Sequence, residues 1–72
     1  MLMAGELEIT NLMLYRIRGE FLEMPGLRLT VAQASRLWHV DAGVCAAVLR
    51  RLVADRFLTL TRLGAYVRAD QV

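Results

Sequence analysis

Two helix-start signals, close together in the middle of the chain, constrain its fold more than any other feature. Thr30-Val31-Ala32-Gln33 has the capping-box pattern, Ser or Thr at the N-cap and Glu or Gln three residues on. Asp41 is the second signal, because an Asp at the N-cap accepts hydrogen bonds from the otherwise unpaired N–H groups of a first helical turn. The box predicts a helix over about Val31 to Trp38, with Ala34, Ser35 and Trp38 facing a core. His39-Val40-Asp41 then forms a tight link into a further helix, from Ala42 to about Asp55. On a wheel of about 100° per residue, Cys45, Val48, Leu49, Leu52 and Val53 share one face of that helix. Gly43, Ala46, Ala47, Arg50 and Ala54 share the other.

A longer helix is expected before the box, from about Glu6 to Met24. Glu6 and Glu8 suit the positive end of a helix dipole, and Pro25-Gly26 stops the helix. Leu14, Ile17, Phe21 and Met24 recur at three- and four-residue steps and make one buried stripe. Leu7, Leu12, Met13 and Tyr15 lie off it, so the N-terminal half is apolar around most of its circumference. A helix of that kind is buried on more than one side. Leu27-Arg28-Leu29 reads as a short extended piece. After the last helix, Phe57 to Thr61 and Ala65 to Arg68 are β-prone. The intervening Arg62-Leu63-Gly64 fits a three-residue hairpin loop ending in a left-handed Gly. The expected fold is mostly α with a small β-hairpin, in one domain over residues 1–72.

Composition adds a partner. Hydrophobic residues make up 57% of the 72 residues, more than so small a globule can hide. Apolar surface should therefore meet another molecule, and self-association is the simplest case. The all-round apolar start of the first helix makes Leu7, Leu12, Met13 and Tyr15 the expected homodimer contacts. Charge is segregated as well. Residues 1–26 carry two Arg against four Glu, a net −2, whereas residues 27–69 carry seven Arg against Asp41 and Asp55, a net +5. Every cation is Arg, which suits forked phosphate contacts, although a GC-rich genome also raises Arg over Lys. One cysteine, Cys45, excludes an intrachain disulfide, and with a single His it excludes a Cys/His zinc site. Met1-Leu2-Met3-Ala4 is too short for a signal sequence before Glu6 and Glu8, and no apolar run reaches membrane-spanning length. A cytoplasmic protein with no cofactor and no membrane contact is expected.

The order of helix, short strand, helix, tight turn, helix and hairpin resembles the bacterial winged helix-turn-helix family, over about residues 14–68. Leu29 to Asp41 resembles that family's second helix and turn. Val44 to Leu58 resembles its recognition helix running into the wing. The resemblance implies three helices plus a wing and binding of double-stranded DNA, as in transcriptional regulators. His39 stands where the family usually has Gly, and His tolerates the left-handed region better than most side chains, so its role is structural. Cys45 stands at a core position and reads as a small hydrophobe. Trp38 reads as a core anchor.

In that family the third helix enters the major groove, while the second helix's start and the wing hold phosphates. The residues matching those roles are Arg28, Thr30, Gln33 and Arg36 around the second helix, and Arg50 and Arg51 on the third. Arg62 stands at the wing tip and Arg68 on its second strand. Base edges would face Ala42, Gly43, Val44, Ala46 and Ala47, where the family usually carries hydrogen-bonding side chains. None of these five can make a bidentate base contact. Binding would then rest on phosphates and DNA shape. A smooth helix of Gly, Ala and Val also suits a protein partner, so an interaction or assembly module that does not bind DNA is the alternative. There is no Ser-His-Asp set, phosphate-binding Gly loop or metal cluster in the sequence, and an enzyme is not expected.

Overall fold

The structure is a computed structural model that describes residues 4–71, with side chains described from residue 11 to residue 70. Three helices come first: α1 over Ala4–Glu23, α2 over Val31–Trp38 and α3 over Ala42–Ala54. A two-stranded antiparallel hairpin follows, β1 over Leu58–Leu60 and β2 over Tyr66–Arg68, and a 3-10 turn over Ala69–Gln71 closes the described chain.

Helix α1 buries Ile17 and Phe21 completely, with Met13 and Leu14 packed at the margin of the same core. Met24, expected in the buried stripe, is exposed. The helix ends at Glu23, and the Met24 carbonyl accepts from Leu27 N–H at 2.9 Å, so the chain turns away at Pro25-Gly26 before that side chain can continue the stripe. The helix begins at Ala4 rather than Glu6, a difference within ordinary end fraying.

Both halves of the capping box form. Thr30 Oγ1 accepts from Gln33 N–H at 3.2 Å, and Gln33 Oε1 accepts from Thr30 N–H at 3.0 Å. Helix α2 buries Ala34 and Trp38. Ser35 is only half-buried, because it holds the α2–α3 link. Its hydroxyl donates to Val40 O at 2.6 Å, and its carbonyl accepts from the N–H groups of His39 and Val40. His39 takes the left-handed conformation, φ 54° and ψ 46°, as the sequence led one to expect. Asp41 then caps α3 by accepting from Val44 N–H at 3.1 Å.

Helix α3 buries Cys45, Val48, Leu49 and Leu52, while Val53 is half-buried at the edge of that face. It stops one residue earlier than the sequence suggests, with Asp55 as its C-cap. Phe57 N–H donates to Leu52 O and Arg56 N–H to Val53 O, both at 2.9 Å, and Arg56 is left-handed with φ 63°. This is a Schellman ending, usually made with Gly at the left-handed position.

The strands are shorter than the β-prone segments, three residues each, with Leu58 opposite Arg68, Thr59 opposite Val67 and Leu60 opposite Tyr66. Thr61 and Ala65 close the loop instead of extending the ladder. Thr61 N–H donates to Ala65 O, and Thr61 Oγ1 accepts from Ala65 N–H, around a left-handed Gly64 with φ 81°. Leu29 adds a third edge, exchanging two backbone hydrogen bonds of 3.2 and 2.7 Å with Tyr66. The core lies where these elements meet. Ile17, Phe21, Trp38, Val48, Leu49, Leu58 and Tyr66 pack together, and Phe21 meets Trp38 edge to face at 6.3 Å between ring centres. Truncating a ring such as Phe21 to Ala costs about 3–5 kcal/mol, a large share of what a domain this small possesses. Among the described residues no helix is long and apolar enough to cross a membrane.

Candidate nucleic-acid interface

The bridge between Leu29 and Tyr66 decides which candidate side chains share an edge. The pairing is antiparallel, so stepping forward to Thr30 runs alongside stepping back to Ala65. The start of α2 and the hairpin loop therefore stand at the same end of the molecule, with Thr30, Gln33 and Arg62 around it. Stepping back to Arg28 leads the other way, towards Val67 and Arg68 at the hairpin base. The set read from sequence is thus divided between two ends.

At the α2 end, the capping box leaves donors pointing outward. Gln33 Oε1 is occupied by Thr30 N–H, so its side-chain NH₂ still has two hydrogens to give. Thr30 Oγ1 accepts from Gln33 N–H and keeps its own proton for an acceptor outside. The other unpaired N–H groups of the first turn add the partial positive charge of a helix start, which favours an anion. No acidic residue lies in that turn. Arg62 and Leu63 are exposed on the adjacent loop.

The start of α3 has the opposite character. The Asp41 carboxylate accepts from the Val44 N–H of its first turn and brings its negative charge there. Gly43 follows from that cap, since a Cβ at this position would lie 3.0 Å from Asp41 Oδ2. Gly43, Ala47 and Arg50 are exposed on the outer face and Ala46 is half-buried beside them. Arg50 is the one long side chain in this group, next to Gly43, Ala46 and Ala47, which carry nothing beyond Cβ.

The arginines divide by their partners. Arg51 Nε lies 3.3 Å from the Asp55 carboxylate. Arg68 is 2.7 Å from Asp70 and only a fifth exposed, and its guanidinium also lies 5.8 Å from the centre of the Phe57 ring. Arg18 approaches the same ring at 5.1 Å. Two guanidinium groups thus lie within cation–π distance of Phe57, each contact worth about 0.5–1 kcal/mol where exposed. Arg28, Arg36, Arg50 and Arg62 are exposed and, among the described residues, have no carboxylate within ion-pair distance.

The expected dimer contacts separate in the same way. Leu12 and Tyr15 are 68% and 77% exposed, whereas Met13 turns inward against the chain's own core. The side chain of Leu7 lies outside the described residues. Beside Tyr15, a groove of about 370 Å³ runs between α1 and the end of α3, lined by Asn11, Leu14, Tyr15, Arg18, Leu52 and Asp55.

Three residues with definite roles escaped the sequence reading. The sequence pattern places Ser35 at a core-facing position and gives neither Arg56 nor Arg18 a role of its own. Only Arg56 left a signal, since it stands just past a C-cap where a left-handed residue is common. The arrangement offers donors at one end, beside Arg62, which has no carboxylate at ion-pair distance among the described residues, and an apolar helix face elsewhere. No family model matches the chain, and neither a curated protein nor a solved structure matches it.

Proposed function

We propose that this chain is a winged helix-turn-helix domain that binds double-stranded DNA, with the hairpin as its wing and α3 facing the major groove. One observation carries the reading: the open capping box of α2, the hairpin loop with Arg62, and the exposed guanidinium groups leave donors and positive charge with no carboxylate at ion-pair distance among the described residues. Phosphates fit the α2 end, where N–H groups and side-chain donors converge. They do not fit the α3 start, where Asp41 would repel them. Arg50 and the flat Gly43, Ala46 and Ala47 surface allow close approach of a groove without reading its bases. Recognition therefore rests on phosphate position and DNA shape. Arg51 and Arg68 act within the fold rather than on the ligand, and a DNA regulator of this kind needs no cofactor.

Val44 at the start of α3 and Leu37 on α2 are 39% and 54% exposed, and they favour a second reading, a protein partner in place of DNA. Fluorescence anisotropy with a mixed-sequence duplex separates the two. DNA binding predicts saturable binding at low salt that weakens steeply as salt is raised. No binding at about 20 mM salt, where electrostatic contacts are strongest, refutes the DNA reading.

A further inference from the structure

We infer that α1 forms an antiparallel homodimer with a second copy of itself, in a register centred on Leu12. The face concerned is the one turned away from the core. Leu12 stands nine residues before the fully buried Phe21, about 180° around the helix at ~100° per residue. Its side chain is 68% exposed, with Tyr15 at 77% beside it. Large apolar side chains grouped this way on a small chain mark a contact surface.

Charge identifies the occupant. Outward from Leu12 the sequence complements itself: Glu8 stands four residues before and Arg16 four after, Gly5 seven before and Gly19 seven after. Steps of four and seven return to one helical face. An antiparallel pair with its twofold axis beside Leu12 therefore brings Glu8 level with the partner's Arg16, and the reverse. It also brings glycine level with glycine at both ends of the contact. Arg16 is exposed, and a Cβ built on Gly19 meets nothing within 4 Å, so this stretch is open to a close neighbour. A parallel pair in register would put Glu8 against Glu8 and Arg16 against Arg16, which like charges disfavour. The interface is isologous, as a twofold dimer requires. A single helix pair about 20 Å long falls at the small end of specific interfaces, so the dimer dissociates on dilution.

The test uses the full chain without DNA, so its outcome is independent of the DNA-binding measurement. Light scattering across concentration shows a dimer for the wild type at about 100 µM. Arg16→Glu and Glu8→Arg each shift the chain to monomer by tenfold or more in dissociation constant. The double variant restores the dimer, because each charge again meets its opposite. Leu12→Cys, which alters no charge, gives a disulfide-linked dimer under mild oxidation. The wild type gives none, because Cys45 is buried. Circular dichroism confirms that each variant folds. A wild-type monomer at that concentration, a double variant that stays monomeric, or Leu12→Cys that does not cross-link overturns the inference.

Discussion

Removing arginines one at a time should distinguish those that meet phosphates from those the fold already uses. Four of the candidate contacts, Arg28, Arg36, Arg50 and Arg62, have no carboxylate within ion-pair distance among the described residues. Arg28 lies at the hairpin base, away from the proposed surface, so three phosphate contacts remain, and the logarithm of affinity falls with the logarithm of salt at a slope of roughly −0.9 per contact, about −2.7 in all. Raising salt from about 50 to about 200 mM then weakens binding by roughly 40-fold. Arg50→Ala or Arg62→Ala should each flatten the slope by about 0.9 and weaken binding to every duplex alike. Arg51→Ala and Arg68→Ala should leave the slope unchanged, because Asp55 and Asp70 hold those guanidinium groups. The assay is anisotropy of a labelled duplex across a salt series. Equal slopes for wild type, Arg50→Ala and Arg62→Ala would refute the assignment, and so would a drop for Arg68→Ala as large as theirs.

Two further outcomes concern the fold. Arg56→Gly should be more stable than Arg56→Ala by about 0.5–1 kcal/mol. The left-handed conformation costs a side chain about 1–2 kcal/mol, and the extra freedom of unfolded Gly returns part of that. Thermal unfolding checks this as a few degrees in Tm, and equal Tm values contradict the Schellman ending seen at φ 63°. Burial holds the Cys45 thiol above its ordinary pKa of 9.0. The folded chain keeps that proton when the unfolded chain has lost it, so this contribution is full below about pH 9 and shrinks as pH rises further. Urea unfolding at pH 8 and pH 10 should show a loss of stability that Cys45→Ala lacks in part, and identical losses would place the thiol in water.

The legible parts of this fold were those encoded within a few residues. The capping box, the Asp41 cap, the left-handed His39 and the α3 core face each depend on neighbours close in sequence, and each forms as read. The hairpin Gly64 belongs with them. Contacts between distant segments were not legible. Nothing local in Leu29 announces that it will pair with Tyr66, yet that pairing decides that Arg62 shares an end with Thr30 while Arg28 does not. The arginine set follows from charge and from position in the resembled family, and neither reveals that Arg68 will find Asp70 and the Phe57 ring. Met13 and Leu12 are adjacent and both apolar, and only the packing of α1 on α3 turns one inward and the other out.

The central claim is that the start of α2, the outer face of α3 and the hairpin loop form one DNA-binding surface. Amide shift mapping of the labelled chain, titrated with a mixed duplex at low salt, tests it most directly. Perturbations should gather at residues 30–33, 43–50 and 61–64, with the hairpin base around Arg68 and the outward face of α1 little changed. Shifts confined to α1, or a spectrum unmoved by excess DNA, would contradict it.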